Sequence, residues 1–532
     1  MARSPRRRFA APLLVVVLTA ACSSTVAGAP TTGSAPASSA APSSSASPSA
    51  SASVPSGITV PSTLPSAAPS AQAAGGQPDG ASGTVGDPGI GDPYYPQAGN
   101  GGYQIDSYDL NLSYDPASNT LQSTALLKGS VVSEEGLTQF DLDLQPTMTV
   151  GTVTVNGSPA TFQQQDAELV ITPAALLPAA GPLTVDVTYG GQPGLVPGGT
   201  AGHSDGGWYR TSSGGALAAG EPTGASAWYP VNEHPADTAT FAVTATVPDK
   251  WQVISNGVRS TDGLPDPGAD KSVFRWQLGE AVASYLTTIY IDTFTTVQDT
   301  MADGRPIVSA IAPSVPGDKD VAANTKRIID VLAGYFGPYP FESAGGIFTG
   351  EAIGFALETA TRPIFSQGVD DLETMVHELS HQWFGDDVTI KRWSDICLNE
   401  CFASYGPWLW NAEVNGENLD ATWKQKMANA VNRPNYWKSP LVDMGQGAEF
   451  SRVYDRGPLA LHALRNEIGD DAFFALLKQW PAMYGGKNAS FDDLESLVTT
   501  VAGRDLKPFM DAWFRGTTLP PVEFRYPGNL GN

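Results

Sequence analysis

The chain has 532 residues, 41% of them hydrophobic, which suffices for two or three domains with apolar cores and excludes a small cross-linked scaffold. Its 30 basic and 54 acidic residues give a formal charge of −24. That balance excludes nucleic acid and anionic lipid surfaces as partners and favours a substrate that carries a positive group.

Met1 to Cys22 reads as an export signal, in which Arg3, Arg6, Arg7 and Arg8 precede an apolar run from Phe9 to Leu18 that is too short to span a bilayer. Leu18-Thr19-Ala20-Ala21-Cys22 resembles the bacterial lipoprotein processing site, with Thr19 where leucine is usual. The resemblance implies that Cys22 becomes the lipidated first residue of the mature chain. The protein is then expected on the extracytoplasmic face of the cell membrane, held by its lipid anchor alone, or secreted. Arg6-Arg7-Arg8-Phe9 fits either twin-arginine or general export. Residues 23–102 are dominated by Ser, Ala, Pro, Gly and Thr, a composition that cannot offset the entropy of ordering and predicts a disordered tether.

From 103 to 298 the hydrophobic period is two, as in Tyr108, Leu110, Leu112 and Tyr114 or Phe140, Leu142 and Leu144. This predicts an all-β domain, with tight hairpin turns at Asn156-Gly157 and Asn256-Gly257. From 299 to 532 the period becomes helical. Val321, Thr325, Ile328, Ile329, Leu332 and Tyr335 form one stripe before Gly337-Pro338 stops it. A second helix is expected from Leu372 to Phe384, capped by Asp370 or Asp371 and ended at Gly385. Ser394 is expected to cap a third, which carries Glu400 and should bend near Gly406-Pro407. The chain therefore reads as a multidomain α+β protein, with an N-terminal all-β domain followed by a mostly helical one.

The second and third helices carry the chemistry. His377-Glu378-Leu379-Ser380-His381 places two imidazoles one helical turn apart and about 40° in azimuth from each other, so both can reach one ion. Glu400 supplies a third ligand, and two histidines with one glutamate form a catalytic zinc set that leaves a position for water. Glu378 is then free to act as general base. The expected cofactor is one zinc ion per chain. The chain has only five histidines, and His203, His234 and His462 show no ligand spacing. Cys397 and Cys401 flank Glu400; four residues apart on one helix, they read as two reduced, packed thiols.

This constellation resembles the gluzincin aminopeptidases, the family of aminopeptidase N and the leukotriene epoxide hydrolase, from about Tyr103 to Val522. The zinc-helix stretch is recognisable in residues 377–386 and the third-ligand stretch in 398–405, where Cys401 replaces the usual glycine. Phe355-Ala356-Leu357-Glu358-Thr359 falls where the family has Gly-x-Met-Glu-Asn. The resemblance implies that Glu358 binds the substrate's amino terminus, with Ala356 and Leu357 beside it. Glu221, in Glu221-Pro222-Thr223-Gly224-Ala225, matches the segment that adds a second carboxylate. Tyr454, in Val453-Tyr454-Asp455-Arg456-Gly457, matches the tyrosine that stabilises the tetrahedral intermediate. The implied fold is a saddle-like β domain before a thermolysin-like catalytic domain, without the helical-repeat domain that covers the site in many relatives. The implied activity is removal of the first residue from peptides with a free amino terminus. Two rivals stand beside it: a thermolysin-like endopeptidase lacking the amine anchor, and a surface lipoprotein that binds a partner through a vestigial site.

Overall fold

The computed structural model describes residues 83–198, 205–368 and 370–531. The export signal, Cys22, most of the expected tether and His203 lie outside the described residues. Among the described residues no helix is long and apolar enough to cross a membrane.

The two-residue period becomes three sheets. Tyr103–Asp115, Thr120–Val131, Pro182–Gly191 and Thr238–Pro248 are neighbours at the centre of an eight-stranded sheet. On Tyr103–Asp115 the buried positions include Tyr108, Leu110, Leu112 and Tyr114, one face of the pleat, because alternate side chains leave a strand on opposite sides. A five-stranded sheet carries Gly206–Arg210, Ala216–Ala219, Gln252–Ser255 and Ile289–Asp292. It leads into the loop that contains Glu221.

Asn156-Gly157 does turn one strand onto the next, with Val155 opposite Ser158. Asn256-Gly257 does not. The strands on either side, Gln252–Ser255 and Val258–Ser260, belong to different sheets. Asn256 is buried and works as a polar brace instead: its amide donates to Leu286 O and Ala360 O, and its carbonyl oxygen accepts from Thr288 N. Gly257 N donates to Thr361 Oγ1. The dipeptide thus ties the β region to the segment that follows Glu358.

The tether expected to reach residue 102 gives way earlier to packed chain. Thr84–Val85 pairs with Leu137–Asp143, and Asp92, Tyr94 and Asn100 are buried. Averaging over eighty residues hid these few, whose partners lie from 43 to 349 positions away.

The helical region opens on a four-stranded sheet of Thr295–Thr300, Pro306–Ile311, Ala344–Phe348 and Ile364–Phe365. Helix α1 (Thr325–Phe336) follows the predicted stripe and buries Ile328, Ile329, Leu332 and Phe336. Helix α2 (Leu372–His381) is capped by Asp371, which accepts from Thr374 N at 3.0 Å. Its buried Met375, Val376 and Leu379 face the core, which leaves His377, Glu378 and His381 for the cleft. Just past it, Trp383 packs on Phe336 and Tyr339 and donates to Pro338 O, so the segment 336–341 serves as the socket for the end of α2.

Ser394 does not cap the third helix. It lies in a 3₁₀ turn, Trp393–Asp395, and α3 (Cys397–Ala403) starts after Ile396. The expected bend at Gly406-Pro407 is a full break, and α4 (Gly406–Asn415) begins there with proline in its first turn, where a missing N–H costs nothing. A Cβ on Gly406 would lie 2.0 Å from Ser380 Oγ. Only glycine lets α4 approach α2 this closely. Helix α5 (Arg456–Ile468) packs on α3.

Candidate active site

The structure brings His377, His381 and Glu400 to one point. The two Nε2 atoms are 3.2 Å apart, and Glu400 Oε2 lies 3.3 Å from the first and 3.5 Å from the second. Ligands held tetrahedrally at about 2.0–2.2 Å from zinc sit about 3.3–3.6 Å from one another, so this triangle already has the required edges. Glu400 Oε2 is buried and accepts no hydrogen bond, as expected of an atom reserved for a cation. His381 Nδ1 donates to Phe384 O at 3.0 Å, which fixes the tautomer that presents an unprotonated Nε2. Burial opposes the charge on Glu400, but His381 and His377 hold it well below the ordinary carboxylate range. The donor set therefore fits zinc.

Around this point lies a cleft of about 590 Å³ lined by Glu221, Glu358, Glu378 and Tyr454 as well as the ligand set. Glu378 is buried beside the triad. Burial pushes its carboxyl well above the usual range, with Glu358 and Glu400 adding to the effect and His381 opposing it. Tyr454 is half exposed to the cleft, and its hydroxyl donates to Glu400 Oε1 at 3.0 Å.

Glu221 and Glu358 come from sequence positions far apart, yet they line the same cleft. Burial raises the carboxyls of both, with Glu358 and Glu400 adding to the effect at Glu221, and with His381 opposing and Glu400 adding to it at Glu358. Glu221 Oε1 is buried without a hydrogen-bond partner. Glu358 Oε1 accepts from Tyr285 Oη at 3.3 Å and lies 3.9 Å from His381 Nδ1. Among the described residues neither carboxylate forms an ion pair with a lysine or arginine. Two desolvated acids with no lysine or arginine partner among the described residues have the charge and burial that suit an ammonium group. Beside them a smaller cavity of about 230 Å³ is walled by Phe355, Ala356, Leu357, Phe450 and Tyr454.

Several supporting residues escaped the sequence reading. Gln382 accepts from Thr361 N and donates to Glu358 O and Asp386 Oδ2, locking the end of α2 to the segment that bears Glu358. Glu233 Oε1 accepts from the backbone N–H groups of Gly224, Ala225 and Ser226, which fixes the loop after Glu221. Gln382 stands inside the recognised zinc-helix stretch. Nothing local marks Glu233 or Tyr285. Of the histidines without ligand spacing, the two among the described residues have structural partners, His234 with Asp92 and His462 with Tyr405 and Asp420.

Cys397 and Cys401 correct the reading of two reduced thiols: they form a disulfide across the turn that carries Glu400. An ideal helix would separate their Cα atoms by about 6.2 Å. Here the separation is 4.8 Å, well inside bridging range. Gly457 makes room for the bridge, since a Cβ there would lie 2.6 Å from Cys401 Sγ.

Residues 357–513 match the model of the Peptidase family M1 domain. Aminopeptidase N from Streptomyces lividans is 27% identical over 311 residues, which is 53% of this chain and 36% of the relative. Tricorn protease-interacting factor F2 from Thermoplasma volcanium is 24% identical over 343 residues, 58% of this chain and 42% of the relative. The chain thus spans less than half the length of these curated relatives. Among solved structures, an M1 zinc metallopeptidase from Deinococcus radiodurans aligns with TM-score 0.74 at 28% identity, covering 82% of this chain and 98% of that one. A two-domain M1 zinc metallopeptidase bound to L-tryptophan gives 0.75 at 28% identity, with 82% and 99% covered. Another of these structures is bound to the peptide Tyr-Ser-Ala.

Proposed function

We infer that this chain is a zinc metallopeptidase of family M1, an aminopeptidase that hydrolyses the first bond of peptides with a free amino terminus. One observation carries the choice of exopeptidase over endopeptidase: Glu221 and Glu358, both buried and without a lysine or arginine partner, line the same cleft as the metal triad. An ammonium group bound between them leaves only the adjacent peptide bond beside His377, His381 and Glu400.

Those three residues would hold the zinc ion, which when bound polarises the scissile carbonyl and draws the pKa of water towards neutrality. Glu378 accepts the proton of the attacking water and later passes it to the departing amine, so the proton count closes within one side chain. Its raised proton affinity suits that shuttle. The Tyr454 hydroxyl, on the open side of the triad, turns from Glu400 to the oxyanion as it forms, a contribution of about 3 kcal/mol for a well-placed donor. Phe355, Leu357 and Phe450 offer the first side chain an apolar pocket.

The test is a panel of aminoacyl anilides, free and N-acetylated, with and without chelator. Free leucyl and phenylalanyl anilides are expected to be cleaved and aspartyl anilide hardly at all. A chelator should abolish turnover and stoichiometric zinc restore it. Equal cleavage of acetylated substrates would select the endopeptidase instead.

The Met1–Cys22 signal and the processing-site resemblance support an extracytoplasmic enzyme anchored through Cys22. Labelled palmitate should be incorporated by cells making the wild type and not by those making Cys22→Ala; equal labelling in both would refute the anchor.

A further inference from the structure

We propose that the short segment Asp92–Tyr95, which enters the fold ahead of the β region, is a strap that positions the Phe450–Tyr454 pair for the reaction. The proposal rests on the role given to Tyr454 above. The strap is held at Asp92, 2% exposed, whose Oδ1 accepts from Tyr94 N and Tyr95 N. Asp92 Oδ2 accepts from Trp393 N at 2.9 Å and lies 3.1 Å from His234 Nε2. One buried carboxylate therefore joins the strap to the β region and to the turn that leads into the Glu400 helix.

From this anchor the two tyrosines reach the loop between Leu441 and α5. The Tyr94 hydroxyl accepts from Gly445 N at 2.7 Å and donates to Asp443 Oδ1 at 2.9 Å. Asp443 N in turn donates to Ser394 O. The Tyr95 ring packs edge-on against Trp393, and its hydroxyl faces the carboxylate of Glu449, which is 1% exposed. The next residue, Phe450, stacks on Tyr454 with the ring planes 11° apart and also walls the smaller cavity.

The loop needs such support. Asp443 and Arg452 adopt φ of 54° and 75°, a region that residues with side chains occupy only when their surroundings impose it. The loop has no helix or strand of its own before Arg456. Arg452 O is fixed from α5 by the N–H groups of Arg456 and Gly457; at the opposite end Leu441 N and Val442 N donate to Phe514 O and Asp443 N to Ser394 O, and the strap adds its bonds at Asp443 and Gly445.

The experiment is a double-mutant cycle on the full chain with zinc bound, reading kcat and KM for leucyl anilide together with metal content and melting temperature. Tyr94→Phe removes one hydroxyl and is expected to lower kcat roughly 5- to 50-fold, since small misplacements of catalytic groups are costly. In a Tyr454→Phe background the same change is expected to have almost no further effect. Tyr103→Phe, which removes another tyrosine hydroxyl bond, that to Asp141 O in the β region, should leave kcat unchanged. If Tyr94→Phe does not fold, Asp443→Gly removes the same hydrogen bond at a backbone conformation that glycine favours, and the same coupling is expected. An unchanged kcat, or equal losses in both backgrounds, would overturn the strap. A Tyr454→Phe enzyme with wild-type kcat would instead remove the role of Tyr454, and the strap's role with it.

Discussion

Glu378→Gln is expected to reduce kcat by at least about 10² to 10⁴, the usual share of a positioned general base, while zinc content stays at one per chain. The side chain is not among the three converging ligand atoms, so its amide leaves the triad intact. Stability gives the prediction a second arm. Glu378 lies buried among Glu358 and Glu400, and burial already makes its charge costly. An isosteric neutral group removes that repulsion, so the melting temperature should hold or rise. Stopped turnover in a metal-replete, undiminished fold separates loss of a proton carrier from loss of structure. Residual activity near wild type would remove Glu378 from the mechanism.

For Glu358→Gln the largest effect should fall on discrimination. Breaking a desolvated ammonium–carboxylate contact costs about 2–4 kcal/mol. With 1.4 kcal/mol per decade, kcat/KM for a free aminoacyl anilide is expected to fall by roughly 30- to 1,000-fold. The slow reaction of the N-acetylated analogue has no ammonium to lose and should stay where it is. The free-to-acetylated ratio would thus collapse, with Glu221 alone sustaining the remainder. Lost binding should appear in KM, and part of the effect also in kcat, because the amine contact fixes which bond lies beside the triad. An unchanged ratio would mean that Glu358 does not hold the amine, whatever the fate of the zinc assignment.

The two-residue period that runs through Tyr108, Leu110, Leu112 and Tyr114 foretold a strand, because pleat geometry acts between near neighbours. It could not say which strand pairs with which. Asn256-Gly257 has the composition of a hairpin turn, yet its flanking strands join different sheets and Asn256 braces Leu286 and Ala360. Cys397 and Cys401 were misread because ideal helix spacing was assumed, whereas their Cα atoms stand 4.8 Å apart and the bridge forms. The segment from 83 to 102 was misread as tether because its composition is that of a linker, while its few ordering residues depend on distant partners.

His377, Glu378, His381 and Glu400 were legible in the chain because helical spacing alone puts two imidazoles on one face and leaves a base between them. Period and composition likewise determined a β-rich region before a helical one. Only the tertiary structure decided where Glu221 and Glu358 stand with respect to each other and to the triad, that Tyr454 reaches Glu400 across 54 positions, and that Tyr94 reaches Asp443 across 349. The physical reason is range. Backbone periodicity is set within a few residues, whereas a cleft that gathers Glu221, Glu358 and Tyr454 around the triad is assembled by sheet registers and helix contacts that no local run of sequence contains.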